Sequence, residues 1–105
     1  MDRVGYAERR RYLTPGSLDD LGGPAHGLVV LPKHLGWTGR TQYDLGDVAD
    51  RAVFYERVLV EAVSVDDLTS LIDAGLLRSM WRRLFLPAPV RRVWEQAFVD
   101  LASAA

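Results

Sequence analysis

Two adjacent pairs of carboxylates and two histidines are the side chains of this sequence that could carry acid–base catalysis or hold a metal ion. The carboxylate pairs, at residues 19–20 and 66–67, both stand at predicted helix starts, where capping explains them. His26 and His34 lie in predicted loops, without any cysteine in the chain or a Glu at helical ligand spacing. An enzyme built on either histidine would need a pocket that joins it to an acid. We therefore expect no catalytic residue, no metal site and no cofactor.

The sequence also lacks the short motifs that bind phosphate or activate a nucleophile. Its glycines stand in turn sequences and form neither a GxxxxGK[ST] frame nor a GxGxxG frame. No serine has the flanking residues of a nucleophile elbow, and without cysteine a Cys–His pair is impossible. These absences favour a binding function over a catalytic one.

The arginines of residues 78–92 are the polarised charge feature of the chain. No acidic residue occurs between Ala74 and Trp94, whereas residues 44–73 hold eight acids and two arginines. The basic stretch could contact an acidic surface of a partner protein or the phosphates of a nucleic acid. It could also be the solvated side of two helices whose acid partners come from the preceding helices. The candidate binding residues are Arg78, Arg82, Arg83, Arg91 and Arg92.

The alternative function, nucleic-acid binding, depends on the interpretation of two predicted helices as a helix–turn–helix. Residues 65–73 and 76–85 form a predicted helix pair joined by a short turn, and the second helix would present its arginines to DNA. Trp81 and Leu84 make much of that helix apolar, however, and such helix pairs occur in any helical bundle. DNA binding through residues 76–85 is therefore the second interpretation, after binding to a protein.

A loop rich in aromatic residues is the other candidate surface. The segment WTGRTQY at residues 37–43 places Trp37, Arg40 and Tyr43 beside glycine, and these residue types dominate the energetics of protein interfaces. The alternative is that Trp37 and Tyr43 fold back as lids on a small core. The sequence leaves both possibilities open.

The composition describes one small domain spanning residues 1–105. The chain has 13 basic and 14 acidic side chains, a net charge of −1, no cysteine and 49% apolar residues. A single compact domain of this length has a radius of gyration of roughly 13 Å. Near-neutral charge argues against a protein that coats nucleic acid by bulk charge, and no apolar run approaches the ~20 residues of a membrane span. We expect a cytoplasmic protein.

The C-terminal half, residues 47–105, has the periodicity of four helices packed in a small bundle. Asp47 or Asp44 caps the first helix, whose buried stripe comprises Val48, Ala52, Tyr55, Leu59 and Ala62. Ser64 and Asp67 form a capping box for the second helix, which Gly75 ends. A third helix covers residues 76–85, and a fourth, with Pro89 in its first turn, covers residues 90–101. The expected core contains Tyr55, Leu59, Leu71, Trp81, Trp94 and Phe98.

The N-terminal half, residues 1–46, is irregular and contains a short β-ribbon. Ser17 caps a one-turn helix, and residues 27–31 have the length and branched side chains of a strand. This strand could pair with residues 10–13 in a two-stranded ribbon that the helices support. The fold class is therefore mainly α with an N-terminal two-stranded β-ribbon, and α+β is the alternative.

Short motifs spread over residues 24–101 resemble those of a known family. They are LP at 31–32, WTG at 37–39, YDL at 43–45, VR at 90–91 and WE at 94–95. The chain resembles a family of short, mostly uncharacterised proteins of GC-rich bacteria that are often encoded beside nucleotidyltransferase-like toxins of the abortive-infection type. The resemblance implies an antitoxin-like or regulatory partner and not a catalyst, and it assigns no functional residue.

These observations lead to a functional hypothesis. The protein is expected to be a small cytoplasmic protein-interaction module, an antitoxin-like or regulatory partner without catalytic activity of its own. A DNA-binding regulator that uses the arginines of residues 76–85 is the alternative. The expected partner is another protein, with a toxin as the leading candidate, and a homo-oligomer remains open.

Overall fold

The computed structural model describes residues 12–36 and 39–102, and this part of the chain is mainly helical. Its N-terminal half holds a two-stranded antiparallel ribbon of β1 (Leu28–Val30) and β2 (Gln42–Asp44). Five α-helices follow in the described residues: α1 (Val48–Glu61), α2 (Val65–Leu71), α3 (Ala74–Met80), α4 (Ala88–Ala97) and α5 (Val99–Ala102). Single-turn 3-10 helices lie at Leu18–Asp20, Lys33–Leu35 and Trp81–Arg83. No helix in these two segments combines the length and the apolar character needed to cross a bilayer.

Side-chain caps start α1, α2 and the first 3-10 turn where the sequence predicts them. The carboxylate of Asp47 accepts a hydrogen bond from the N–H of Asp50 at 2.9 Å and so caps α1. Ser64 and Asp67 form the predicted capping box of α2, each side chain accepting from the other residue's N–H. Ser17 caps the 3-10 turn that follows it. These contacts are local, which is why the sequence alone predicts them.

The prediction that Gly75 ends the second helix is wrong. That helix ends at Leu71, and Asp73 caps α3 by accepting a hydrogen bond from the N–H of Leu76 at 2.9 Å. The N–H of Asp73 in turn donates to the hydroxyl of the buried Tyr55 at 2.9 Å. Because this tertiary contact fixes the helix junction at Asp73, Gly75 falls inside the first turn of α3 and does not have a positive φ.

The two remaining predicted helices are shorter than their hydrophobic patterns suggest. The helix expected over residues 76–85 ends at Met80 and continues only as a 3-10 turn, after which Leu84 is extended. The helix expected over residues 90–101 is interrupted at Phe98, whose φ of −132° and ψ of 101° are extended. The described residues therefore contain five α-helices, whereas the sequence predicts four. The hydrophobic period continues across both breaks, so periodicity alone does not reveal them.

The predicted strand is present, but its partner is different. β1 pairs with β2, with Val29 opposite Tyr43, and not with residues 10–13. Tyr12 and Leu13 lie outside any strand, and Arg10 and Arg11 lie outside the described residues. Tyr43 decides the pairing because its ring packs against Phe54 of α1 with a centroid separation of 5.7 Å. This contact places β2 on the core, and β1 then extends the ribbon.

Buried side chains from both halves of the chain form one hydrophobic cluster. Leu31 and Leu45, beside the ribbon, pack in the same cluster as the helical side chains. Val48 is the exception to the predicted stripe of α1, since it is the first residue of the helix and 63% exposed. The six predicted core residues are confirmed as buried or partly buried against the cluster: Tyr55, Leu59, Leu71, Trp81, Trp94 and Phe98.

Candidate interaction surface

Arg91 is built into the fold, although the sequence presents it as one of five surface arginines. Its guanidinium donates to the backbone carbonyls of Trp81, at 3.1 Å, and Leu84, and it lies 4.9 Å from the centroid of the Trp81 ring. The carboxylate of Glu95 lies 3.8 Å from the same guanidinium and accepts a hydrogen bond from Trp81 Nε1. Arg91 therefore clamps the chain that follows α3 onto α4.

The same stretch of chain exposes Phe85. Its side chain is 88% exposed, whereas the preceding Leu84 is buried. The N–H of Phe85 donates to the carboxylate of Glu56 on α1 at 2.7 Å. The turn is thus held from one side by Arg91 on α4 and from the other by Glu56 on α1. We call residues 81–86 the Phe85 loop.

The other four candidate arginines are exposed but do not form a single row. Arg82 and Arg83 belong to the Phe85 loop, and Arg92 lies on the exposed side of α4. Arg78, on α3, lies 3.7 Å from the exposed carboxylate of Asp19, an ion pair of the kind that contributes little in water. Within residues 12–36 and 39–102, we find no acid partner for Arg82, Arg83 or Arg92.

Phe85 is a surface residue that the sequence analysis does not identify. The hydrophobic pattern places Phe85 on the predicted helix of residues 76–85, where nothing distinguishes it from the other apolar side chains of that helix. The usable signal is its position two residues before Pro87, because a proline ends helices ahead of it and so predicts a loop. The exposure itself follows from the contacts of Glu56 and Arg91, which come from other helices.

Arg40 and Tyr43 serve mainly to hold the ribbon on α1. Tyr43 is buried, and its hydroxyl donates to the carbonyl of Arg40 at 3.0 Å. The guanidinium of Arg40 lies 4.7 Å from the centroid of the Tyr43 ring and bonds to the carboxylate of Asp50. The backbone N–H of Asp44 and then Arg40 lower the pKa of that carboxyl. Tyr43 is therefore a lid on the core, and Trp37 lies outside the described residues.

His34 pairs with Asp67, a contact between residues that are far apart in sequence. The Nε2 atom of His34 lies 2.8 Å from Oδ1 of Asp67, while Oδ2 accepts from the N–H groups of Val63, at 3.0 Å, and Ser64. Burial raises the pKa of the Asp67 carboxyl. The N–H of Val63 and the His34 side chain lower this pKa by more than burial raises it, so the net shift is downward. The sequence predicts the capping role of Asp67 and not its histidine partner.

One pocket of the described residues does not include the His34–Asp67 pair. That pocket, of about 320 Å³, is lined by residues 16–19, by Arg78 and by residues 97–100, and it contains neither histidine. The described segments contain no cluster of three metal-binding side chains. The structure pairs His34 with Asp67, and neither His26 nor His34 lines this pocket.

Comparisons with family models, with curated proteins and with solved structures found no match to this chain. The candidate interaction surface is therefore defined by the geometry of the chain itself. It consists of the exposed Phe85 with the two arginines that precede it in the Phe85 loop.

Proposed function

We propose that the protein is a protein-interaction module, an antitoxin-like or regulatory partner without catalytic activity of its own, and that the Phe85 loop docks on its partner. The observation that carries the proposal is the 88% exposure of a phenylalanine whose backbone is held by two charged side chains. Aromatic side chains and arginines are the residue types that most often anchor protein interfaces.

The restraint on the loop supports a docking role. A flexible exposed side chain loses conformational entropy when a partner immobilises it, and a restrained backbone reduces that cost. Glu56 and Arg91 hold the loop before any partner arrives. Phe85 can therefore enter a partner pocket while its backbone contacts stay in place.

The charges around Phe85 indicate the chemistry of the partner. Arg82 and Arg83 are exposed, while Glu56 and Glu95, the acids that contact this region, are engaged with the N–H of Phe85 and with Trp81. An excess of positive charge beside an apolar side chain fits an apolar pocket with an acidic rim. We propose a partner with such a pocket, with a toxin as the leading candidate.

The test is a binding measurement with the purified product of the neighbouring gene. We expect the wild-type protein to bind it and Phe85→Ser to weaken binding at least ~10-fold, because loss of a central aromatic anchor costs about 2 kcal/mol or more. Val63→Ser is the matched control, since Val63 is 65% exposed and lies outside the loop. Circular dichroism checks that both variants fold. Absence of binding by the wild type, or equal affinity of Phe85→Ser, would contradict the proposal.

DNA binding is the second candidate, because Arg82 and Arg83 are exposed without an acid partner in the described residues. A seven-residue α3 with Leu77 and Met80 buried leaves Arg78 as its exposed arginine. This alternative predicts a gel shift in ~50 mM salt that weakens steeply as salt rises. Replacing Arg78, Arg82 and Arg83 together by Ala should abolish the shift, while Phe85→Ser should preserve it. Phe85→Ser therefore separates the two functions, since it should weaken binding to a protein partner and leave the gel shift intact.

A further inference from the structure

The two edges of the β-ribbon differ in how their main-chain groups are satisfied. On the β2 edge, the outward N–H of Asp44 donates to the carboxylate of Asp50 at 3.0 Å, and the carbonyl of Gln42 accepts from Nε of Arg40 at 2.9 Å. Arg40 and Asp50 also bond to each other across this edge. Side chains therefore close the β2 edge against another strand.

Among the described residues, the outer edge of β1 has no strand partner. Gly27 and Leu31 bond to β2 through the carbonyl of Gly27 and the N–H of Leu31. In an antiparallel pair the bonding alternates, so the main-chain groups of Leu28 and Val30 point away from β2. We find no hydrogen bond to these groups from any residue in segments 12–36 and 39–102.

The side chains of this edge are apolar and exposed. Leu28 is 68% exposed and Val30 is 64% exposed, and β1 contains no charge and no proline. Proteins commonly protect an edge strand with a lysine, a proline or a bulge, because an unprotected edge pairs with other strands. β1 is protected only by its length of three residues and has no lysine, proline or bulge, whereas the neighbouring β2 edge is covered.

We propose that β1 pairs antiparallel with β1 of a second copy of this chain, which joins two ribbons into a four-stranded sheet. The twofold axis would pass beside Val29, so that Leu28 of one copy faces Val30 of the other. Each of these residues would then donate and accept a main-chain hydrogen bond across the axis. The edge is self-complementary because its two outward-pointing residues flank the axis symmetrically.

The charges of the ribbon favour a second copy as the occupant. In the strand order β2–β1–β1–β2, the four central exposed side chains are Leu28 and Val30 of the two copies, and they form one apolar patch. The charged residue of β2, Asp44, lies opposite Leu28 on the outer strand. Three strand spacings, roughly 14 Å, separate the two outer strands, which exceeds the screening length at physiological salt. Between the described strands of the two copies, no like charges meet at the contact.

The small size of β1 sets the strength of this contact. A pairing of three-residue strands buries less than the ~800 Å² per partner of a typical stable interface. The dimer should therefore exchange rapidly and form at high protein concentration. It uses the ribbon and not the Phe85 loop, so it stands independently of the proposed function.

Sedimentation velocity over about two decades of protein concentration tests the proposal. For the wild type, the apparent mass should rise toward twice the monomer mass as concentration increases. Val30→Lys should remain monomeric, since it places two ammonium groups in the apolar patch. Val63→Lys is the matched control, because Val63 is 65% exposed and lies outside both strands of the ribbon; it should dimerise like the wild type.

A proline variant tests the hydrogen bonding itself. The N–H of Val30 points away from β2, so Val30→Pro leaves the bonds within the ribbon intact and removes a donor from the edge of each copy. It should also be monomeric, with a circular dichroism spectrum and a thermal midpoint that show a folded protein. A wild type that stays monomeric at every concentration would overturn the proposal. So would a dimer that survives in folded Val30→Lys and Val30→Pro.

Discussion

Asp67 shows how one side chain can serve both local and tertiary structure. Its Oδ2 atom accepts the N–H groups that precede α2, and its Oδ1 atom binds His34 from the 3-10 turn after β1. The capping box is visible in the sequence because its two residues are three positions apart. The His34 contact joins residues 33 positions apart, and no local pattern predicts it.

The lowered pKa of Asp67 predicts an acid-dependent loss of stability. Since its folded-state pKa lies below the unfolded value of about 3.9, the carboxylate contributes fully above that pH, and its contribution is lost as pH falls through the folded-state pKa. Asp67→Asn should lower the free energy of unfolding by about 1–2 kcal/mol at neutral pH, with a smaller difference in acid. Urea unfolding at ~pH 7 and ~pH 3 measures both effects.

The neighbouring Asp66 supplies the control for this prediction. Its side chain is exposed, and its backbone carbonyl rather than its carboxylate accepts the hydrogen bonds of Thr69 and Ser70. Asp66→Asn should change stability by only a few tenths of a kcal/mol, through the helix dipole. If the two variants lost the same stability at both pH values, the contacts of Asp67 would not be the cause.

At the scale of elements, the junction between α2 and α3 depends on a close approach by the N-terminal segment. The N–H of Gly23 donates to the carbonyl of Ile72 at 2.9 Å, and the N–H of Gly22 donates to that of Thr69 at 2.8 Å. A Cβ atom on Gly23 would lie 2.4 Å from the backbone carbon of Leu71. The sequence GGP predicts a turn here, but it does not reveal that backbone packs against backbone.

Substituting the two glycines separates packing from turn formation. Gly23→Ala should lower the free energy of unfolding by about 3 kcal/mol, because neither backbone can move away without breaking the contact. Gly22→Ala is the control, since its Cβ would lie 3.8 Å from the nearest atom, an ordinary contact. It should change stability by less than about 0.5 kcal/mol. Thermal and urea unfolding of both variants measure the difference, and equal losses would contradict the packing explanation.

The helix ends show where periodicity stops being informative. Apolar residues continue at helical spacing through Leu84 and Leu101, so the pattern predicts longer helices than the structure contains. The carbonyl of Trp81 accepts both the N–H of Leu84 in the 3-10 turn and the guanidinium of Arg91, which also binds the carbonyl of Leu84. Of the five candidate arginines, Arg91 holds the fold together and the other four are exposed. The number and spacing of charges in the sequence do not predict this difference.

At the scale of the whole molecule, the radius of gyration of 13.4 Å agrees with the value expected for one compact domain of this length. The hydrophobic cluster contains residues from the ribbon and from the helices, including Val29 and Trp94. We therefore predict that residues 1–105 unfold as one cooperative unit.

Two probes in one variant test this cooperativity. In a Trp37→Phe background, tryptophan fluorescence reports Trp81 and Trp94 of the helical half. Val29→Ala in β1 should lower the free energy of unfolding by about 1.6 kcal/mol, from two buried methylene equivalents. It should shift the urea midpoints of fluorescence and far-UV circular dichroism equally. A fluorescence midpoint that does not move would indicate that the ribbon unfolds separately.

The sequence by itself determined the fold class, the starts of α1 and α2, the strand of β1 and the core tryptophans. These features depend on residues a few positions apart, because caps, turns and helical or strand periodicity are local. Only the tertiary structure decided the partner of β1, the helix junction at Asp73, the clamp of Arg91 and the exposure of Phe85. Each of these depends on a contact between distant segments, where the free energy of packing outweighs local preference. The two proposed binding surfaces are consequences of such contacts.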